Sequence, residues 1–236
     1  MNETARLENI AQKSMYAHGI DGHNVQYSGK IFMRHLVQGS VLELGPAEGL
    51  MTDILYPMFM KDYTIVDGSS LFVQQIKTRH PDITAFTSLF EEFAPNRKYN
   101  NIILGHVLEH VIDPVEILKL CKEWLCTDSP SVVLATVPNA SSIHRQVGLA
   151  MDLLNKLNEF SDKDRQHGHR RVFFRDEFAE CFAKAGLTIS KFGGYYLKPL
   201  SNRQIEEQWS QDLINAFMAL GEDYPEIAAD MYVVAH

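Results

Sequence analysis

The stretch 41-VLELGPAEGLMTDIL-55 decides the fold of this chain. Val41 to Leu44 is a short apolar run that predicts a buried strand, and it leads into a turn that contains Gly45 and Gly49. Glycine at both positions permits a tight bend and lets a ligand approach the main-chain N–H groups. The next residues have the apolar spacing of a helix, so the stretch predicts strand, bend and helix in succession, with Glu43 facing the ligand crevice.

A second apolar run, Tyr63 to Asp67, follows the first predicted helix and ends in a carboxylate. An acid at the end of this strand can accept hydrogen bonds from both hydroxyls of a ribose. The two strands together therefore predict a site for a nucleoside-containing cofactor. The glycine turn alone is a weak signal, because Ala47 replaces the middle glycine of a G-x-G-x-G pattern.

Two further stretches complete an ordered set of motifs with ELGPAEG and Asp67. They are NIILGHVLEHVIDP at 101–114 and VVLATVPN at 132–139. The set resembles the class I S-adenosylmethionine-dependent methyltransferases, and within them the small-molecule enzymes related to the ubiquinone pathway. The resemblance covers roughly residues 30 to 236, and the order of the motifs is more specific than any one of them. It implies a Rossmann-like α/β fold with a seven-stranded, mostly parallel sheet, an antiparallel last strand, helices on both faces and a small helical lid insertion.

The alternation of strand-like and helix-like segments independently predicts parallel strands with right-handed crossovers. Ligands of such sheets bind beyond the carboxyl ends of the strands. Further helices are predicted at residues 3–17, 25–37, 143–160 and 202–220, and Gly193-Gly194 allows a bulge or a bend in the sixth strand. We expect residues 1–236 to form a single domain, with a helical cover at 1–38 and a lid insertion at 139–173.

The resemblance implies S-adenosyl-L-methionine as the cofactor. Its methionine portion is expected near Glu43 and the glycine turn, its ribose on Asp67, and its adenine against Ser88 and Leu89. The complete set of expected cofactor-binding residues is Glu43, Gly45, Pro46, Ala47, Gly49, Asp67, Gly68, Ser88, Leu89, Gly105 and His106.

Methyl transfer from a sulfonium is an in-line displacement, so positioning accounts for much of the acceleration and a protein base is optional. Histidine is the natural base, because its unperturbed pKa is near 6.5. His106 follows the fourth strand at the crevice and is the expected catalytic residue, whereas His110 is expected to anchor the following turn. The resemblance favours an oxygen acceptor, with nitrogen as the alternative.

The acceptor is expected to meet side chains of the helical cover and the lid. Between Arg165 and Arg175 the chain has four arginines and no acid, despite a net charge of −8. Their guanidinium groups suit a carboxylate or a phosphate on a small-molecule acceptor. The structural alternative is that they neutralise nearby acids such as Asp162 and Asp176. The expected acceptor-binding residues are Tyr16, Tyr27, His144, His169 and Arg170.

Several partners are predicted to be absent. Gly105 stands where catechol-type relatives place a metal-binding aspartate, so no metal is expected, and the charge of −8 argues against nucleic acid.

The three cysteines lack a C-x-x-C motif, which predicts reduced thiols and a cytoplasmic protein. No apolar run has the length of a membrane span, so stable membrane insertion is not expected. An oligomer is possible, and the sequence does not decide it.

Two other classes of function stay open at this point. One is a non-catalytic, methyltransferase-like binding module, and the other is a nucleotide-dependent oxidoreductase. The retained Glu43, Gly45, Gly49 and Asp67 favour cofactor binding. An antiparallel last strand beside the sixth would separate the methyltransferase fold from a nicotinamide-binding Rossmann domain.

Overall fold

The computed structural model describes residues 3–14 and 16–236. Its strands are β1 (Val41–Leu44), β2 (Tyr63–Asp67), β3 (Thr84–Thr87), β4 (Asn101–Gly105), β5 (Val132–Pro138), β6 (Ile189–Tyr195) and β7 (Asp230–Ala235). They form a seven-stranded sheet in the order β3-β2-β1-β4-β5-β7-β6. Neighbouring strands are parallel except at β7, which lies antiparallel to both β5 and β6. The predicted fold class is therefore confirmed, including the antiparallel last strand.

Helices pack on both faces of this sheet. Those in the described residues are α1 (Glu3–Ala11), α2 (Gly19–Met33), α3 (Leu50–Phe59), α4 (Ser70–Arg79), α5 (Pro114–Trp124), α6 (Ile143–Ala150), α7 (Asp162–His167), α8 (Arg175–Ala185), α9 (Asn202–Gln208) and α10 (Gln211–Leu220). Of these, α6 and α7 belong to the insertion between β5 and α8, and α1 and α2 precede the first strand.

Successive residues of the central strands point to opposite faces and enter two hydrophobic clusters. Leu42 and Leu44 belong to the cluster that packs against α5 and α8, and Val41 belongs to the one that packs against α2 and α3. Burial on both faces explains why β1, β4 and β5 are apolar without alternation. The exception in β1 is Glu43, which is only 2% exposed.

Three helix boundaries differ from the predictions. The first helix ends at Ala11 rather than at residue 17, and α2 occupies 19–33 rather than 25–37, because His18 adopts the extended conformation of an N-cap. The insertion helix ends at Ala150 rather than at residue 160. Asp152 has a φ of 56°, a left-handed conformation that a helix cannot contain, so the chain turns there.

One predicted helix near the C-terminus was also wrong. The segment 202–220 is two helices, because Trp209 is extended and the Ser210 hydroxyl accepts a hydrogen bond from Leu213 N–H to begin α10. The bulge in β6 lies between Ile189 and Lys191 instead of at the Gly193-Gly194 pair. Gly193 pairs regularly with Tyr232, and a Cβ there would lie 2.4 Å from that ring.

None of the helices in the described residues has the length and apolar character needed to cross a membrane. Cys121, Cys126 and Cys181 form no disulfide with one another.

Candidate functional site

A cavity of about 540 Å³ opens at the carboxyl edge of the sheet, a size typical of ligand pockets. It is enclosed by the strand ends, by α1 and the residues after it, and by the insertion. All eleven residues predicted to bind a cofactor line this cavity: Glu43, Gly45, Pro46, Ala47, Gly49, Asp67, Gly68, Ser88, Leu89, Gly105 and His106. Their role in binding stays a prediction, but the sequence identified them as one group and the fold brings them together.

The glycine bend after β1 forms part of the cavity wall. Gly45 and Gly49 have φ values of 62° and 83°, which few other residues adopt without strain. A Cβ at Gly45 would lie 2.9 Å from Val107 Cγ2. Ala47 also has a positive φ, of 50°, and its N–H donates to Asp67 Oδ2 at 3.3 Å. The bend is therefore held in a strained conformation that presents backbone to the cavity.

Asp67 ends β2 next to this bend and is 7% exposed. Its Oδ1 accepts a hydrogen bond from Ser69 N–H at 2.8 Å, which fixes the direction of the carboxyl group. Burial raises the pKa of Asp67 to about 7, although the backbone hydrogen bonds oppose the rise. A ligand that donates hydrogen bonds would stabilise the charged form, so this carboxyl is poised to bind one.

Glu43 is also held by protein groups. Thr52 Oγ1 and Tyr63 OH both donate to its Oε2, at 2.6 and 2.8 Å, whereas its Oε1 has no hydrogen bond to any described residue. Burial raises the pKa of Glu43 to about 7. One oxygen thus anchors the glutamate to α3 and β2, and the other is free for a ligand.

The helix α1 closes the cavity above Asp67 and Gly68. Leu7 Cδ1 would lie 2.4 Å from a Cβ at Gly68, and Glu8 accepts hydrogen bonds from Ser69 Oγ and Ser70 N–H. Ser88 and Leu89 line the same region, and Phe90 follows them. The contacts of Leu7 and Glu8 explain why this weakly amphipathic segment is ordered as a helix over the sheet edge.

His106 occupies the centre of the strand-end edge and has a φ of 57°. Its Nδ1 lies 3.4 Å from Glu109 Oε1 and 3.9 Å from Asp230 Oδ1, and its Nε2 lies 3.1 Å from Tyr195 OH. Burial opposes protonation, but Glu109 and Asp230 outweigh it and raise the pKa of His106. The same proximity lowers the pKa of Glu109 against the effect of its burial.

Glu109 is fully buried, and neither of its oxygens has a hydrogen-bond partner among the described residues. Ligand atoms of Glu109, His110 and His169 lie within 4.8 Å of one another, so these three residues could hold a metal ion. Burial lowers the pKa of His110 to about 3, so that imidazole is neutral. The absence of a metal from the reaction stays a prediction. A metal ion that contradicted this prediction would bind at this cluster of Glu109, His110 and His169.

Three of the five predicted acceptor residues, Tyr16, His144 and His169, line the cavity, but Tyr27 and Arg170 do not. Tyr27 OH donates instead to Glu222 Oε1 at 2.6 Å, and its ring stacks on Tyr195. Arg170 donates to the His110 carbonyl at 2.9 Å and forms an ion pair with Glu3 at 2.9 Å. Neither side chain lines the cavity, because each is held by protein partners, so the structure gives these two assignments no support.

The arginine cluster has a structural role in the described residues. Arg171 donates to the carbonyls of Leu108, Val111 and Ile112 at 2.6 to 2.8 Å, and it holds the turn after β4 together with Arg170. These contacts favour the structural alternative for Arg170 and Arg171, whose partners are carbonyls as well as an acid.

Residues that the sequence did not single out also line the cavity. Asp230 begins β7, and Tyr196 and Lys198 follow β6. The topology could have identified them, since β6 runs parallel to β5 and β7 runs antiparallel, which brings the end of β6 and the start of β7 to the ligand edge. The lining also includes Asn24 and Asn202 from α2 and α9.

The insertion is fastened by one buried arginine. Arg145 on α6 donates to the Leu157 and Glu159 carbonyls at 3.0 and 2.8 Å and forms a 2.6 Å ion pair with Asp164 on α7. This explains why the irregular segment between α6 and α7 keeps a defined shape. The insertion therefore forms a fixed wall of the cavity in this structure.

A family model described as a methyltransferase domain matches residues 20–191 of this chain. A comparison with curated protein sequences found no match. Among solved structures, the fold is similar to that of a putative methyltransferase in complex with the Haloferax volcanii Trm112 methyltransferase activator. The TM-score is 0.64 and the sequences are 13% identical, with coverage of 100% of this chain and 97% of that chain. It is also similar to an S-adenosylmethionine-dependent methyltransferase from Clostridium acetobutylicum ATCC 824, with a TM-score of 0.59, 13% identity and coverage of 89% and 90%. A third similar structure is the glycopeptide N-methyltransferase MtfA complexed with S-adenosyl-L-methionine, with a TM-score of 0.60, 12% identity and coverage of 89% and 86%.

Proposed function

Because this chain belongs to the methyltransferase domain family, we propose that it transfers the methyl group of S-adenosyl-L-methionine to an oxygen or a nitrogen of a small-molecule acceptor. The observation that carries the proposal is the convergence of the glycine bend and Asp67 in one cavity, joined by the hydrogen bond from Ala47. The ubiquinone-pathway resemblance favours oxygen, and the glycopeptide N-methyltransferase of similar fold keeps nitrogen as the alternative.

The cavity residues fit this cofactor. The glycine bend lines the cavity at Gly45 and Gly49 and allows close approach, and the free Oε1 of Glu43 is available to the methionine portion. Asp67 offers a carboxyl group to the ribose hydroxyls, and Ser88 and Leu89 flank the adenine in our proposal. When bound, the cofactor supplies an electrophilic methyl group on a positively charged sulfur.

The chain must then position the acceptor and receive its proton. A hydroxyl or a protonated amine becomes a better nucleophile as its proton leaves. Glu109 has two buried oxygens without hydrogen-bond partners, and His106 lies 3.4 Å from one of them. We assign proton removal to the His106–Glu109 pair: His106 keeps the carboxylate ionised, and Glu109 accepts the hydrogen bond of the acceptor and takes its proton as the acceptor gains the methyl group.

The acceptor would occupy the part of the cavity between His106 and the insertion. His144 and His169 line this part, and Tyr16 closes it by donating from its hydroxyl to the His167 carbonyl at 3.0 Å. The ring of Tyr16 also packs edge-on against His167, with the ring centroids 4.6 Å apart. The acceptor thus meets rings and buried polar atoms, whereas the Arg170 and Arg171 side chains serve the turn after β4.

Ligand titration tests the cofactor assignment directly. S-adenosylhomocysteine should raise the midpoint of thermal unfolding by an amount that grows with its concentration, and NAD should leave it unchanged. Stabilisation by NAD without stabilisation by S-adenosylhomocysteine would overturn the proposal. The Glu109→Gln variant separates binding from chemistry, since it should bind S-adenosylhomocysteine like the wild type.

A further inference from the structure

Lys198 lies just after β6, at the far side of the cavity from Asp67. In the order of the sheet, β4 lies between β2 and β6. His106 at the end of β4 therefore lies between Asp67 and Lys198. Lys198 lines the cavity and is half-buried. Its position is therefore in the acceptor part of the site rather than in the cofactor part.

The ammonium group of Lys198 forms no hydrogen bond or ion pair with any described residue. The other cations near it are paired, Lys163 with Asp21 at 2.5 Å and Arg145 with Asp164 at 2.6 Å. Burial lowers the pKa of Lys198 to about 8 and the proximity of Lys163 adds to the effect, whereas Asp230 and Asp21 oppose it without forming an ion pair with the ammonium group. A charged amine in a partly desolvated wall is costly unless something balances it, so the missing partner is expected to come from a ligand.

Other polar atoms in this wall also lack partners. Tyr196 OH, His144 Nδ1 and Asn202 Oδ1 are buried without a hydrogen bond, and all three residues line the cavity. They come from the loop after β6, from α6 and from α9, so three separate elements direct unpaired polar atoms to one region. Buried polar atoms are nearly always paired in folded proteins, which marks this region as a place for a polar ligand.

We propose that Lys198 and the hydroxyl of Tyr196 bind a carboxylate group of the methyl acceptor, an inference that rests on the proposed methyltransferase function. A single unpaired cation matches a singly charged carboxylate, and a doubly charged phosphate would require a second one. The neighbouring Asn202 Oδ1 accepts a hydrogen bond from a hydroxyl or amine elsewhere on the same molecule.

The position of Lys198 also sets the shape of the acceptor. Three strand spacings of about 4.8 Å separate β4 from β6, so the two strand ends lie roughly 14 Å apart. Both residues line the same cavity, so one ligand can contact both of them. The carboxylate is therefore at the end of the acceptor remote from the atom that is methylated.

Binding measurements with simple carboxylates test this site. The probes are acetate, benzoate and phenylacetate, with acetamide, benzamide and phenylacetamide as uncharged counterparts and inorganic phosphate as the alternative anion, each added to protein saturated with S-adenosylhomocysteine. At least one carboxylate should raise the unfolding midpoint while its amide does not. Lys198→Met should weaken the binding of that carboxylate about 10- to 100-fold, the value expected for a lost charge-assisted hydrogen bond.

Two further variants act as controls. Lys77 is exposed on α4, so Lys77→Met should bind the carboxylate like the wild type, and Lys198→Arg should recover part of the affinity. Without any carboxylate, Lys198→Met should unfold at the same temperature as the wild type or higher, because it removes an unbalanced charge. A lower midpoint would assign Lys198 a structural role and overturn the proposal.

Three other outcomes also count against the carboxylate site. These are no stabilisation by any carboxylate, equal stabilisation of Lys198→Met, and stabilisation that depends on Lys198 but is given by phosphate alone. Failure to bind S-adenosylhomocysteine would instead contradict the proposed function. Normal S-adenosylhomocysteine binding without a carboxylate effect would contradict only the subsite.

Discussion

Replacement of Asp67 by asparagine should weaken the binding of S-adenosylhomocysteine and remove part of its pH dependence. The amide keeps the shape of the side chain and can still accept from Ser69 N–H, which donates to Asp67 Oδ1 at 2.8 Å in the wild type. It lacks the charge that strengthens hydrogen bonds from ligand hydroxyls. The expected loss is about 1.5 to 3 kcal/mol, or roughly 10- to 150-fold in the dissociation constant.

The pH dependence follows from the pKa of Asp67, which burial raises to about 7. If the ligand binds the ionised carboxylate, affinity follows the ionised fraction, which falls from about nine-tenths at pH 8 to about one-tenth at pH 6. Wild-type binding should therefore weaken about tenfold on acidification across this range. Asp67→Asn cannot titrate at this position and should lose this contribution.

Isothermal titration calorimetry at several pH values between 6 and 8 measures both effects. The exposed Asp82 provides a matched control, and Asp82→Asn should behave like the wild type. Because burial also raises the pKa of Glu43 to about 7, a residual slope in Asp67→Asn is expected. Parallel pH curves for the wild type and Asp67→Asn, or equal affinity at pH 8, would refute the assignment of Asp67 to the ribose.

Three other predictions concern single residues of the site and its support. Burial raises the pKa of Glu43 from 4.5 to about 7, so its ionisation lowers the stability of the ligand-free fold as the pH rises through this range. Glu43→Gln cannot ionise and should raise the free energy of unfolding at pH 8 by ~3 kcal/mol, as chemical denaturation can measure. A loss of stability would show that the hydrogen bonds of Glu43 outweigh its charge. Arg171→Ala should lower the free energy of unfolding by about 1–3 kcal/mol, because three carbonyls of the turn after β4 lose a charged donor, and unchanged denaturation would contradict that role. The pKa of the His106 imidazole, measured by NMR, should lie above its ordinary value of 6.5. Glu109→Gln should lower that pKa, because it removes the carboxylate beside the ring. An unchanged pKa in the variant would show that Glu109 does not interact with His106.

The sheet was predictable because the central strands are mainly apolar and lead into turns or acids that mark where they end. β2 was predicted to its exact bounds, Tyr63 to Asp67, since a glycine-free apolar run ends in an acid. The antiparallel β7 could be predicted only through the resemblance to a family, because periodicity does not give strand direction. The ligand edge followed from the topology, and with it the positions of Gly45, Asp67 and His106.

The insertion could not be predicted to the same extent. Its shape depends on Arg145, whose partners are two carbonyls and Asp164, and no periodic pattern records such contacts. The partners of Arg170 and Arg171 could not be predicted for the same reason. A guanidinium group suits a backbone carbonyl as well as a carboxylate, and only the fold shows that Arg170 and Arg171 lie beside the turn after β4.

The distribution of unpaired polar atoms is the strongest structural argument that the cavity binds a ligand along its full length. Buried side-chain atoms without hydrogen-bond partners in the described residues belong mostly to residues of the cavity wall: Asn24, Glu109, His144, Tyr196 and Asn202. Each such atom costs free energy that a folded protein ordinarily avoids. None of these residues belongs to the set predicted for the cofactor, which occupies the Gly45 and Asp67 side. We therefore expect a second polar molecule beside the cofactor, as a group transfer between two molecules demands.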